Sequence, residues 1–171
     1  MTSNLPNGEA LQIRPASFND IPFIQDIANK TWPAAYGNIL SPEQLDYMLD
    51  MIYCTAALEQ QMHDNQHFFV ALQDFLPVGF AAFSPIDLGT QKLHKLYVLP
   101  HIQKMGAGKK LLQTVETTAK SMGAIRLQLN VNRLNNALTF YKTNGFIIIE
   151  EKDIDIGQGF YMNDYIMEKQ L

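Results

Sequence analysis

The segment 98–112, VLPHIQKMGAGKKLL, is the feature that most restricts how this chain can fold. An apolar run leads into it, and a run with Val115 and Ala119 at helical spacing follows it. The pattern predicts a strand, a short turn containing Gly106 and Gly108, and then a helix. Such a junction can bind an anion, because the first amides of a helix lack intrahelical partners and the helix dipole adds partial positive charge.

Three lysines add positive charge to this turn, at Lys104, Lys109 and Lys110. They favour a phosphate or pyrophosphate ligand, although an ordinary turn with solvated lysines explains them equally well. A P-loop requires glycine where Gln103 stands and Ser or Thr where Lys110 stands, and a dinucleotide fingerprint requires glycine at Leu111. ATP and NAD are therefore disfavoured, which weakens the hypothesis of a nucleotide phosphotransferase.

The rest of the chain predicts one α+β domain spanning residues 1–171, built on a mixed sheet. Residues 1–9 are expected to form a flexible tail. The predicted strands are 11–14, 67–72, 78–83, 92–99, 125–131, 146–151 and 160–168. The predicted helices run from Asn19 or Asp20 to Trp32-Pro33, from Ser41 onward, and over 55–62, 108–122 and 135–142.

Composition narrows the functional class. The chain has 171 residues, 47% of them hydrophobic and 18% charged, which is typical of a globular protein. A net charge of -4 argues against a nucleic-acid binder. Cys54 is the only cysteine, which excludes an intramolecular disulfide.

The sequence has no apolar run near ~20 residues and no signal-peptide pattern. We therefore expect a cytoplasmic protein that does not enter a membrane. No Cys/His/Asp spacing indicates a metal site.

Four segments together resemble the GNAT superfamily of acetyl-CoA-dependent N-acetyltransferases. QKMGAG (103–108) matches the superfamily turn Q/R-x-x-G-x-G/A, and KLYVLP (95–100) is similar to the strand before it. NNALTFYKTNGF (135–146) resembles the later N-x-A-x-x-F-Y-x-x-x-G-F segment, and GFYMNDYIMEK (159–169) resembles the last strand of small bacterial members. The resemblance spans 11–169. It implies a mixed, mostly antiparallel sheet of about seven strands, flanked by helices and splayed between strands 4 and 5.

The resemblance also implies acetyl-CoA as cosubstrate, without a metal. The pantetheine arm would enter the splay and pair with the fourth strand at Leu96, Tyr97 and Val98. The pyrophosphate would meet the backbone amides of the turn, which belong to Gln103, Lys104, Met105, Gly106, Ala107, Gly108 and Lys109. Asn135 would contact the pantetheine. It is equally suited to cap a helix beside Asn136, and both roles can hold at once.

The implied reaction is direct attack of an amine on the acetyl thioester. Tyr141 occupies the superfamily position that gives a proton to the departing thiolate, but it could instead be a core aromatic. A backbone N–H at Val98 or Leu99 would stabilise the oxyanion.

The general base is open. Many members carry glutamate where this chain has Lys92, which cannot serve as that carboxylate. His94 lies two residues on and is a candidate base. A histidine that only lines the pocket, a chain of waters, or binding of the neutral amine fraction would also fit.

Four aromatic residues are candidate walls of the acceptor pocket, or simply core: Trp32, Tyr36, Tyr161 and Tyr165. The implied acceptor is a small amine or polyamine, or a peptide N-terminus. A non-catalytic acetyl-CoA-binding regulatory module on the same fold is the main alternative, kept open by the missing glutamate. The sequence indicates no nucleic-acid or membrane partner and leaves a homodimer open.

Overall fold

A computed structural model of the chain describes residues 11–171, so the expected tail at 1–9 lies outside the described residues. Within residues 11–171, a seven-stranded sheet in the order β1-β2-β3-β4-β5-β7-β6 carries five α-helices. The strands are β1 Gln12–Pro15, β2 His67–Gln73, β3 Leu76–Asp87, β4 Thr90–Val98, β5 Arg126–Asn132, β6 Ile147–Gly157 and β7 Phe160–Gln170. The helices are α1 Ile21–Tyr36, α2 Pro42–Tyr53, α3 Thr55–His63, α4 Ala107–Ser121 and α5 Ala137–Thr143.

Every neighbouring pair of strands is antiparallel except β4 and β5, which are parallel. The predicted α+β class and the mixed, mostly antiparallel sheet are therefore confirmed. Helices cover both faces. Tyr97 of β4 packs against Trp32 of α1, whereas the next residue, Val98, lies beside Gly108 of α4. Because successive side chains of a strand point to opposite faces, α1 and α4 lie on opposite faces of the sheet.

The helix α1 is longer than predicted. It begins after Asp20 with Pro22 in its first turn, as expected, but it passes through Pro33 and ends at Tyr36. Pro33 leaves the carbonyl of Asn29 without its helical donor, and Asn29 is exposed, so water can bind that carbonyl. The buried contact between Trp32 and Tyr36 stabilises the extra turn. The prediction that the helix stops at Trp32-Pro33 is therefore wrong.

The sheet opens between β4 and β5. The two strands are paired only from Thr90 with Arg126 to Leu93 with Leu129. Beyond Leu93, β4 stays paired with β3 and β5 stays paired with β7, but the two strands no longer bond to each other. The register between β3 and β4 also shifts at this point, where His94 has no partner on β3. The splay implied by the sequence is present at this position.

Candidate active site

A cavity lies between the separated ends of β4 and β5. The residues around it come from α1, β4, β5 and the start of α5: Tyr36, Leu93, His94, Lys95, Leu96, Tyr97, Leu129, Asn130, Val131, Asn135, Ala137 and Tyr141. The structure thus brings together six residues that sequence analysis selected on separate grounds, namely Tyr36, His94, Leu96, Tyr97, Asn135 and Tyr141. The splay of the sheet and the expected chemistry coincide at this cavity.

The backbone of β4 is free toward this cavity at alternate residues. Leu99 N donates to Val78 O at 2.8 Å, so the amide of Leu99 is directed at β3. Backbone groups alternate in direction along a strand, and those of Tyr97 therefore also face β3, while those of Leu96 and Val98 face the opening. Leu96 can pair with an extended ligand through its N–H and C=O. Val98 can do so through its N–H alone, because Gln103 Nε2 donates to Val98 O. Of the two predicted oxyanion donors, Leu99 already donates its amide to β3, and Val98 does not.

The turn before α4 presents unpaired amides. Gly106 has a φ of 86° and lies just before the helix, where the first intrahelical bond runs from Lys110 N to Gly106 O. The amides of Ala107, Gly108 and Lys109 consequently have no backbone partner among residues 11–171. A Cβ added at Gly106 would meet nothing within 4 Å, so the approach to these amides is open. This arrangement suits a phosphate.

Two of the seven amides expected at this anion site are already used. Gln103 N donates to Leu99 O at 3.1 Å, and Met105 N donates to Ile102 O at 3.2 Å. The side chain of Gln103 donates to Val98 O at 3.0 Å and ties the turn to the end of β4. Gln103 and Met105 therefore shape the turn rather than present amides to a ligand.

Tyr141 lies on α5 with its ring in the core. The ring makes edge contacts with Phe140 at 5.3 Å and Phe146 at 5.7 Å between centroids, and the side chain is 8% exposed. Burial raises the pKa of its hydroxyl, which stays protonated at neutral pH. This hydroxyl makes no hydrogen bond within the described residues, and it is not one of the enclosed atoms without a partner, so it is accessible from the cavity that Tyr141 lines. Tyr141 therefore has a free proton donor at the cavity.

Two more tyrosines form the wall next to α1. The hydroxyls of Tyr36 and Tyr97 lie 3.2 Å apart and share a hydrogen bond. Burial is the main cause that raises the pKa of each, so both are neutral phenols. Asn135 completes the polar lining, and its Oδ1 accepts from Ala137 N at 2.8 Å. Asn135 thus supports the start of α5 and also lines the cavity, as the sequence allowed.

His94 lines the cavity but is a poor base. Burial first, and then the charges of Lys95 and Lys92, lower its pKa to about 4. Its Nε2 shares a hydrogen bond of 2.7 Å with Ser84 Oγ. A neutral imidazole with so low a pKa has little tendency to take a proton from an alkylammonium. The geometry favours the alternative in which His94 is a pocket-lining residue bonded to a neighbour.

Lys95 also borders the cavity, but its amine is directed elsewhere. Its Nζ donates to Gln66 Oε1 at 3.1 Å and lies 5.4 Å from the centre of the Phe68 ring. Burial lowers its pKa to about 8.

Three of the four predicted pocket aromatics do not line this cavity. Trp32 is buried one layer behind it, with its ring 4.7 Å from that of Tyr36. Tyr161 is 49% exposed near the turn between β6 and β7. Tyr165 pairs in register with Val131, on the face opposite to that of Asp164. Of the four, Tyr36 lines this cavity, whereas Trp32, Tyr161 and Tyr165 lie outside its lining.

Sequence analysis missed Asp164, a buried carboxylate beside this cavity. It is 5% exposed on β7, and its Oδ1 has no hydrogen-bond partner among the described residues. A signal was present in the segment YMNDYIM, because Asp164 shares a strand face with Met162 and Ile166. An acid between apolar residues at this spacing predicts a buried charge.

No group of three or more His, Cys, Asp or Glu side chains within residues 11–171 could hold a metal ion. In the same part of the chain, none of the helices combines the length and the apolar character needed to cross a bilayer.

The chain is similar to known acetyltransferases. Residues 38–168 match a family model described as an acetyltransferase (GNAT) domain. An uncharacterized N-acetyltransferase of Mycobacterium tuberculosis is 31% identical over 147 residues, covering 85% of this chain and 94% of the relative. Spermidine N(1)-acetyltransferase of Thermoplasma acidophilum is 28% identical over 167 residues, covering 94% and 98%. The crystal structure of PaiA N-acetyltransferase from Thermoplasma acidophilum with coenzyme A superposes with a TM-score of 0.82 at 27% identity, covering 95% and 100%.

Proposed function

This chain belongs to the GNAT acetyltransferase family and is an acyltransferase, and from that premise we propose that it transfers the acetyl group of acetyl-CoA to a primary amine. One observation carries the proposal. Leu96, whose backbone is unpaired toward the splay, and Tyr141, whose hydroxyl makes no hydrogen bond within the described residues, line one cavity in the splay of the sheet. The coenzyme A complex of the structural relative supports the choice of cosubstrate.

Each group of residues has a separate role in binding acetyl-CoA or in the transfer of its acetyl group. Leu96 binds the pantetheine arm through its backbone N–H and C=O, as an added strand would. The amides of residues 107–109 bind the pyrophosphate, aided by the dipole of α4. The N–H of Val98 then donates to the carbonyl oxygen as it becomes an oxyanion, which stabilises the tetrahedral intermediate. Tyr141 donates its proton to the thiolate that leaves.

The proposed acceptor is an alkyl primary amine, and spermidine is the first candidate. The relative from Thermoplasma acidophilum is named for spermidine, and a net charge of -4 attracts cationic molecules. A peptide N-terminus is the alternative from the sequence resemblance and belongs in the same assay.

The test is acetyl transfer by the purified chain. Acetyl-CoA is mixed with spermidine, 1,4-diaminobutane or a short peptide with a free N-terminus, and the release of free thiol is measured together with the mass of the acetylated amine. We expect thiol release that depends on the amine and yields one acetylated product per thiol. An absence of amine-dependent release with every member of the panel, from protein that binds acetyl-CoA, would contradict the proposal.

A further inference from the structure

The carboxylate of Asp164 has one oxygen without a partner. The residue lies on β7, in register with Asn132 of β5 and Lys152 of β6. Its Oδ2 accepts from Asn130 Nδ2 at 3.4 Å, a long hydrogen bond, and its Oδ1 accepts none. No Lys, Arg or His of residues 11–171 forms an ion pair with it. This is unusual for a side chain that is 5% exposed.

A buried carboxylate with an unpaired oxygen is unfavourable unless a ligand completes it. Burial raises the pKa of Asp164, and the bond from Asn130 and the positive charges of Lys92 and Arg133 only partly oppose this. Neither cation neutralises Asp164 directly. Arg133 is bound to Glu151 and Asp153 instead. The site therefore has a negative charge and an enclosed, unpaired acceptor atom, which a cationic ligand would complete.

Asp164 lies next to the cavity where the proposed reaction takes place, behind residues that line it. Asn130, its hydrogen-bond partner, lines the cavity. The negative charge of Asp164 also contributes, after burial, to the raised pKa of Tyr36, another lining residue. The charged groups that face Asp164 are Lys92 from β4, Lys152 from β6 and Arg133 after β5, while α1 contributes only the neutral Tyr36.

We propose that Asp164 is a catalytic residue: its Oδ1 accepts a hydrogen bond from the alkylammonium acceptor and takes the proton that the nitrogen must lose before it attacks the acetyl carbon. The inference rests on the proposed function. The nitrogen loses two protons in all. The first goes to Asp164 and then to solvent. The second leaves as the C–S bond breaks and restores the proton that Tyr141 gives to the thiolate, so the products are the amide, the free thiol and one proton.

Burial makes this proton transfer feasible. In water an alkylammonium has a pKa of about 10.4 and an aspartic acid one of about 3.9, so the carboxylate is far too weak a base. Removal from water disfavours both charged forms, which lowers the pKa of the amine and raises that of the carboxyl. The two values therefore approach each other in a site such as this one, whereas at His94 burial moves the pKa away from that of the amine.

The substitution Asp164→Asn tests the inference, because it keeps the size of the side chain and removes its charge. Glu59→Gln is the matched control, since Glu59 is exposed on α3, distant in sequence from every residue of the cavity. We expect Asp164→Asn to lower kcat/KM by ~10²–10⁴-fold at neutral pH, with unchanged acetyl-CoA affinity. The loss should shrink as the pH rises toward about 10.4, the pKa of the amine in water, because a growing fraction of the amine is then already neutral. Glu59→Gln should behave as the wild type.

Stability distinguishes this role from a structural one. Because the pKa of Asp164 is raised in the folded state, its ionised form destabilises the fold, and this effect grows as the pH rises through that pKa. Asp164→Asn should therefore raise the thermal midpoint at neutral pH, and the gain should vanish in acid. A lower thermal midpoint with a loss of activity that is equal at every pH would show a structural role and overturn the inference.

Failure of the inference is separable from failure of the proposed function. Wild-type turnover with an Asp164→Asn variant within threefold of it would overturn the role of Asp164 alone. If the wild type acetylates no amine, the proposed function fails. Calorimetry of 1,4-diaminobutane with the coenzyme A-saturated protein then decides on Asp164. Weaker binding to Asp164→Asn than to the wild type would support a cation site, and equal binding, or none to either protein, would overturn it.

Discussion

Replacing Gly106 by alanine is expected to weaken acetyl-CoA binding without unfolding the protein. A Cβ at this position would meet no protein atom within 4 Å, so no clash inside the fold contributes. The methyl group would be added at the turn whose amides we assign to the pyrophosphate. The backbone has a φ of 86°, a left-handed conformation that costs an L-residue roughly 1–2 kcal/mol. That strain lowers the free energy of unfolding but does not itself depend on the ligand.

Gly123 supplies a matched control at the other end of the same helix. Its φ is 87°, and a Cβ there would also meet nothing within 4 Å. Gly123→Ala should therefore lower the free energy of unfolding by about the same amount as Gly106→Ala, roughly 1–2 kcal/mol. Only Gly106 lies at the N-terminal end of the helix, where the helix dipole is positive.

The affinity loss at Gly106 follows from the hydrogen bonds at risk. A hydrogen bond to a charged group contributes about 1.5–3 kcal/mol, so losing one amide–phosphate bond weakens binding by roughly 10- to 100-fold. Calorimetry of acetyl-CoA measures the affinity, and urea unfolding measures the strain. If the two variants bind acetyl-CoA equally well while both remain folded, the assignment of the pyrophosphate to this turn is refuted.

Two further predictions concern β4. His94→Ala should reduce turnover by less than about tenfold, and by the same factor at all pH values, because the imidazole is already neutral and bonded to Ser84. A loss of turnover confined to neutral pH would show instead that His94 is the general base. Lys95, whose pKa falls from 10.5 to about 8, binds fewer protons when folded than when unfolded, so the free energy of unfolding should rise between pH 8 and 10. Urea unfolding should show that Lys95→Met abolishes this rise and stabilises the protein at pH 7 by about 3 kcal/mol. If the free energy of unfolding changes with pH between 8 and 10 in the variant as it does in the wild type, the rise does not come from Lys95.

Local patterns were sufficient to predict most of the fold. The turn with Gly106 needs a left-handed residue before a helix, and the alternation of Leu127, Leu129 and Val131 with polar residues is typical of a strand with one buried face. These features depend on the chemistry of neighbouring residues. For that reason the existence and order of the helices and strands could be read from the sequence.

Features that depend on distant contacts could not be predicted. The helix α1 continues past Pro33 because the packing of Trp32 and Tyr36 stabilises its last turn, which local propensity does not reveal. The low pKa of His94 results from burial and from two lysines brought close by the fold. Tyr165 fits an aromatic wall by composition, but the register of β7 with β5 directs it to the opposite face from the buried Asp164.

The central claim is that the hydroxyl of Tyr141, within the splay of the sheet, donates a proton to the departing thiolate. Tyr141→Phe tests it most directly, because the ring contacts with Phe140 and Phe146 remain and no hydrogen bond within the described residues is lost. With chemistry shown to be rate-limiting, we predict a fall in kcat of ~10²–10⁴-fold, or about 3–5 kcal/mol, at unchanged acetyl-CoA affinity and unchanged stability. A variant that turns over within threefold of the wild type would contradict the account.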